Sequence, residues 1–234
     1  MKKFMQFIKY KWLDRKEYKD MKKRGIKPFK EFGLTLFTGR QGAGKTMSMV
    51  YEAERLRSIY PDLYIASNFG YEFQHAELKS LADIAKTVLY AKELDCSGVL
   101  ILWDEIQNDF DSFSKVSKDV LRVVTQQRKQ GIKILGTSQV FTRVSKALRE
   151  QTFEVAVCNT IMGRYTRTRY YDADEYSHNI EKPDEKKNLH RLRTTTFIQT
   201  DELRGHYDSY AVIKALSLQA TEEKKIEKVV AING

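Results

Sequence analysis

Proline and cysteine are scarce in this chain, with three and two in 234 residues. Cys96 and Cys158 lie far apart. They offer neither a disulfide framework nor the spacing of a metal site, and both read as buried small hydrophobes in a reducing compartment. Long apolar runs are also missing. The longest covers residues 99–103, whereas a membrane-spanning helix needs about 20 apolar residues. The opening Met1-Lys2-Lys3-Phe4-Met5-Gln6-Phe7-Ile8 lacks the apolar core and small-residue cleavage site of a secretory leader. No signal peptide and no transmembrane segment are expected, and the chain reads as cytosolic. What it does have is 41% hydrophobic and 12% aromatic residues, enough for a packed core and against disorder throughout.

The net charge of +10 is unevenly spread. Residues 1–30 hold 12 Lys/Arg and 3 Asp/Glu, a net of +9, which leaves +1 for residues 31–234. The basic arm has no proline or glycine before Gly25, and Phe4, Ile8 and Trp12 recur every four residues, so it reads as an amphipathic helix to about Arg24. Such a helix has three uses: lying along nucleic acid, resting on an anionic membrane surface, or packing on its own domain with its lysines in water.

Beyond the arm, strand and helix patterns alternate. Residues 34–38, 63–67, 99–103 and 132–137 read as short buried strands. Residues 47–58, 76–93 and 115–130 repeat apolar positions at helical spacing. This alternation predicts βαβ units and a parallel sheet. After Glu150 the pattern changes: residues 153–158, 165–171 and 193–199 read as strands forming an edge extension or a small β appendage. Residues 172–192 are polar and read as a loop. The expected domains are a basic arm (1–30), an α/β core (31–160) and a C-terminal extension (161–234).

The chemistry is concentrated at strand ends. Gly39-Arg40-Gln41-Gly42-Ala43-Gly44-Lys45-Thr46 fits G-x-x-x-x-G-K-[ST] between an apolar strand and a helix, the context that makes it a P-loop. Its glycines let the backbone curl so that successive N–H groups face phosphate oxygens, and the helix N-terminus adds positive charge. Lys45 is expected on the β- and γ-phosphates of ATP and the Thr46 hydroxyl on Mg²⁺. The apolar strand 99–103 runs into Asp104 and Glu105. A buried parallel strand presents its C-terminal end to ligand, so Asp104 is expected in the Mg²⁺ shell and Glu105 as the base for the attacking water. A third strand ends at Gln139, a neutral amide suited to sensing the γ-phosphate. A neighbouring subunit's arginine can complete such a site. The candidates are Arg128, Arg143 and Arg149, with Arg128 favoured because it ends a helix just before the third strand. Arg164, Arg167 and Arg169 alternate on a predicted strand and face either nucleic acid or solvent.

Together these strand ends resemble the FtsK–HerA superfamily of P-loop motors over roughly residues 32–160. The discriminating stretch is Gln126-Gln127-Arg128-Lys129-Gln130-Gly131-Ile132-Lys133-Ile134-Leu135-Gly136-Thr137-Ser138-Gln139, which is similar to the family's arginine finger preceding a sensor strand. Residues 63–68 and Asp104-Glu105-Ile106-Gln107 followed by Phe110 resemble the zonular-occludens-toxin-like branch. The size of the chain, and its lack of a membrane span after the core, are similar to small genome-packaging ATPases of membrane-containing phages. The resemblance implies a RecA/FtsK-like α/β core and a hexameric ring with nucleotide at subunit interfaces. It also implies Arg128 as the trans finger, Gln139 as the sensor and double-stranded DNA as cargo. Capsid or membrane-vertex proteins would be partners, in the host cytoplasm or at a virion vertex. The alternatives are a membrane-associated ATPase for phage extrusion, with residues 1–24 on the bilayer, and a nucleotide-gated scaffold with weak turnover.

Overall fold

The computed structural model describes residues 2–25, 27, 29–80, 82–109, 131–185 and 188–207. The predicted helix at 115–130, with Arg128, and Phe110 lie outside the described residues.

A long helix α1 (Lys2–Lys23) precedes an alternation of β1 (Gly33–Thr38), α2 (Lys45–Ile59), β2 (Leu63–Ser67), β3 (Ala76–Glu77), α3 (Ala82–Glu93), β4 (Gly98–Trp103) and β5 (Ile132–Ser138). A short helix α4 (Lys146–Arg149) leads into β6 (Thr152–Ile161) and β7 (Tyr165–Asp172), followed by α5 (Ala173–Glu181), β8 (Arg191–Ile198) and α6 (Asp201–Gly205). The strands form one sheet in the order β3-β2-β4-β5-β1-β6-β7-β8. The pairs from β3 to β6 are parallel, and β7 and β8 are antiparallel.

Every residue of β1, β2, β4 and β5 is buried, as expected of parallel strands covered on both faces. On one face Met49, Val50, Ala53 and Leu56 of α2 pack against Phe37, Leu100, Leu102 and Leu135. On the other, Ile84, Val88 and Ala91 of α3 join Leu36, Ile101, Trp103 and Ile134. Between these layers the sheet carries its C-terminal strand ends to a common edge.

Three expectations needed adjustment. The helix predicted over 76–93 starts only at Ala82. Before it, Ala76 and Glu77 pair with β2, and the Ser80 N–H and hydroxyl both donate to the Asp83 carboxylate (2.9 and 3.0 Å), which sets the helix start. The loop predicted over 172–192 contains α5. Asp172 caps it by accepting from the N–H groups of Asp174 and Glu175 (3.0 and 3.1 Å), and its apolar contact is little more than Ala173 and Tyr176 packed on the core. Cys158 is buried as expected, but Cys96 is only half-buried. The C-terminal strands join the main sheet, with β6 beside β1.

Candidate nucleotide site

The P-loop leaves the buried end of β1 and turns into α2. Gly39, Gly42 and Gly44 all have positive φ (152°, 78° and 83°), conformations that L side chains adopt at a cost of roughly 1–2 kcal/mol. A Cβ on Gly44 would also stand 2.4 Å from the Thr160 hydroxyl. Arg40, Gln41 and Gly42 are exposed, so the loop opens to solvent, while Lys45 is buried at the start of α2.

β4 lies two strands from β1 and delivers the carboxylates. The Thr46 hydroxyl donates to Asp104 Oδ1 at 3.0 Å, and Lys45 Nζ is 3.8 Å from Glu105 Oε1. Lys45, Thr46, Asp104 and Glu105 therefore converge. Burial pushes the Asp104 carboxyl above its usual range, opposed by hydrogen bonds from Thr137 and Thr46 and by the Lys45 charge. A carboxylate whose charge is disfavoured by burial, beside a hydroxyl oxygen, fits a hard divalent cation such as Mg²⁺.

Glu105 is held in the left-handed region (φ 51°, ψ 48°), a conformation costing about 1–3 kcal/mol that persists only where surroundings enforce it. Those surroundings are visible. The Glu105 N–H donates to Thr137 Oγ1 at 2.9 Å, the Thr137 hydroxyl donates to Asp104 Oδ1 at 2.6 Å, and Gln107 donates to Glu105 Oε2. Asn68, just past β2, brackets the Asp104 backbone by donating to its carbonyl (3.0 Å) and accepting from its N–H (2.7 Å).

A second polar chain braces the P-loop from the C-terminal strands. Thr160 Oγ1 donates to the Ala43 carbonyl (3.0 Å) and pairs with Thr166 Oγ1 (2.9 Å). Gln199 Nε2 donates to Thr166 (2.8 Å), and Arg204 holds Gln199 Oε1 from two nitrogens at 3.1 and 2.9 Å. Sequence reasoning assigned no role to Asn68, Thr137, Thr160, Thr166 or Gln199. The signal in the sequence was positional for the first two, which are polar residues at the ends of buried parallel strands. The others are uninformative until β6, β7 and β8 are placed in register.

Gln139 follows β5 at the same sheet edge but is exposed and, among the described residues, has no hydrogen-bond partner. Arg143 is exposed. Arg149 lies before β6, at the opposite end of the sheet from the P-loop, and pairs with Glu181 at 3.0 Å. Arg128 lies outside the described residues.

No family model matches the sequence, and a search of curated proteins finds no relative. Solved structures do resemble the fold. The N-terminal domain of zonular occludens toxin from Neisseria meningitidis is similar with a TM-score of 0.52 and 18% identity, over 75% of this chain and 98% of that one. The genome-packaging NTPase B204 of Sulfolobus turreted icosahedral virus 2, bound to ATP-gammaS, gives 0.48 and 12% identity over 61% and 92%. The cytoplasmic domain of the type VII secretion ATPase EccC from Thermomonospora curvata gives 0.43 and 10% over 62% and 23%. With the sheet order, the strand–loop–helix around Lys45 and the likeness to the toxin domain together, the chain has the α/β fold of the P-loop nucleotide triphosphatases.

Proposed function

We propose that this chain is an ATP-hydrolysing motor that moves double-stranded DNA as a ring oligomer. The observation that carries the ATPase reading is the convergence of Lys45, Thr46, Asp104 and Glu105 at the C-terminal ends of β1 and β4. P-loop N–H groups and Lys45 bind the β- and γ-phosphates. Thr46 and Asp104 would hold Mg²⁺, which when bound would neutralise phosphate charge. The γ-phosphate draws Lys45 away from Glu105, and the freed carboxylate orients a water. The water oxygen bonds to the γ-phosphorus, the bond to the ADP oxygen breaks, and Glu105 takes the water's proton, leaving ADP and phosphate. Gln139 reports γ-phosphate occupancy, and Arg128 of an adjoining subunit stabilises the equatorial oxygens.

The DNA and ring parts of the reading rest on the resemblance of residues 126–139 to the FtsK–HerA motors. Capsid or vertex proteins would be the docking partners of such a packaging machine. The test is ATP turnover with and without duplex DNA, together with DNA affinity across a salt series. Turnover should rise with DNA, and affinity should fall steeply with salt as counterions are released. Turnover indifferent to DNA, with no DNA binding at low salt, overturns the motor reading. No measurable turnover at all favours the nucleotide-gated scaffold.

A further inference from the structure

Helix α1 is set apart from the rest of the molecule. None of its residues is buried. Phe4 is 67% exposed, Met5 65%, Ile8 51% and Trp12 62%. The contacts recorded between this arm and the body, among the described residues, lie at its C-terminal end. Arg24, just past the helix, pairs with Asp95 at 3.0 Å, and Lys30 stands 5.4 Å from the Tyr18 ring centroid. The first three turns therefore make no recorded contact with the described residues of the body.

At 100° per residue, Phe4, Met5, Ile8 and Trp12 share one arc of about a third of the helix circumference, while the exposed Phe7 lies about 60° outside it and Tyr10 and Leu13 lie on the far side. Lys2, Lys9 and Lys16 line one border, and Lys11 and Arg15 lie within or beside the arc, where long stems let charged heads reach out. The helix carries nine Lys/Arg against three Asp/Glu, a net of +6. No described helix is long and apolar enough to cross a membrane.

We propose that α1 lies flat on an anionic lipid surface, with Phe4, Met5, Ile8 and Trp12 inserted at the headgroup boundary and the lysines paired with lipid phosphates. A basic helix for nucleic acid explains the lysines but leaves the shared arc of Phe4, Met5, Ile8 and Trp12 without a use. A lipid interface uses both, and an aromatic at that depth is favoured. This inference is independent of the ATPase reading and goes beyond it, because it concerns where the domain is held.

Trp12 reports on it directly. The chain has two tryptophans, and Trp103 is buried in the core with its indole N–H on Asp109 at 2.9 Å. The full chain is titrated with phosphatidylcholine vesicles, with the same vesicles containing phosphatidylglycerol, and with duplex DNA. Binding is followed by flotation and by Trp emission. Anionic vesicles should float the protein and shift Trp12 emission to the blue, and neutral vesicles should do much less. Ile8→Glu should weaken vesicle binding on the order of tenfold or more by removing an inserted group and adding a repelled charge. It should also keep the thermal unfolding of the domain, since Ile8 packs in neither core cluster. No flotation with anionic vesicles, undiminished binding of the Ile8→Glu chain, or an emission shift with DNA alone overturns the proposal. None of these outcomes bears on ATP turnover.

Discussion

The two halves of the sheet use polar residues differently. In β1, β2, β4 and β5 every position is buried, and the groups that face the nucleotide site stand beyond the strands: Asn68, Asp104 and Glu105 just past the ends of β2 and β4, and Thr46 in the first turn of α2. In β6, β7 and β8 polar side chains sit within the strands on the face under α2: Glu154, Thr160, Thr166, Thr168 and Arg193. The first arrangement puts charge where ligand can neutralise it. The second satisfies polar groups within the protein, through chains such as Ser48–Thr168 at 2.8 Å and Arg193–Glu154 at 2.9 Å. If the chain hydrolyses ATP as proposed, the chemistry belongs to the ends of β1 and β4, and the C-terminal strands hold the P-loop in shape for it.

The sharpest test of that division is the pair of residues expected to fail in different ways. Glu105→Gln removes the proton acceptor but leaves an amide of the same size. Turnover should fall by about 10²–10⁴-fold, with nucleotide affinity and thermal stability close to wild type. If turnover is retained, the chemistry does not depend on the β4 carboxylate and the comparison breaks at its first half. The partner test is Gln199→Leu, which cuts the link between Arg204 and Thr166 while keeping side-chain volume. Here KM for ATP should rise, on the order of tenfold if one or two buried hydrogen bonds at about 0.5–1.5 kcal/mol each hold the loop, and kcat should change less. A loss confined to kcat would mean that the brace acts on the reacting atoms and is more than a support.

This division also explains what was legible in the sequence. β1, β2, β4 and β5 are apolar runs punctuated by turns, and the structure places their ends within a residue of the expected ones. The P-loop and Asp104-Glu105 are contiguous patterns, each recognisable from adjacent residues alone. Asn68 acts on Asp104 across 36 positions, and Gln199 on Thr160 across 39. Asn68 closes the resembling stretch 63–68 but nothing in it says what the side chain touches, Gln199 belongs to no motif, and only strand order reveals either contact. The short β3 was absorbed into a helical pattern because Leu78 suits either, and α5 was hidden because so little of it is apolar.

The mildest expected effect tests whether the polar interior of the C-terminal half is costly in itself. Lys133 starts on β5 but points into this region. It is buried, with Nζ donating to Thr35 Oγ1 at 2.9 Å and to the Phe32 carbonyl at 3.4 Å. Burial holds its pKa below the usual lysine value, opposed by the negative charges of Glu154, Glu31 and Glu52. The folded state therefore gives up this proton at a lower pH than the unfolded chain does. Between the folded value and the ordinary lysine value of 10.5, the unfolded state binds more protons, so the Lys133 contribution to stability rises with pH across that window. Below it, the folded protein carries the full cost of a buried ammonium. Lys133→Met keeps the stem and removes the charge. It should leave stability at neutral pH unchanged or slightly raised and abolish this part of the rise under mild alkali, read as the difference between wild-type and mutant denaturation midpoints at each pH. A mutant strongly destabilised at neutral pH would show that the ammonium's hydrogen bonds outweigh its burial cost. Polar groups in the C-terminal half would then be stabilising in their own right, as well as being supports for the P-loop.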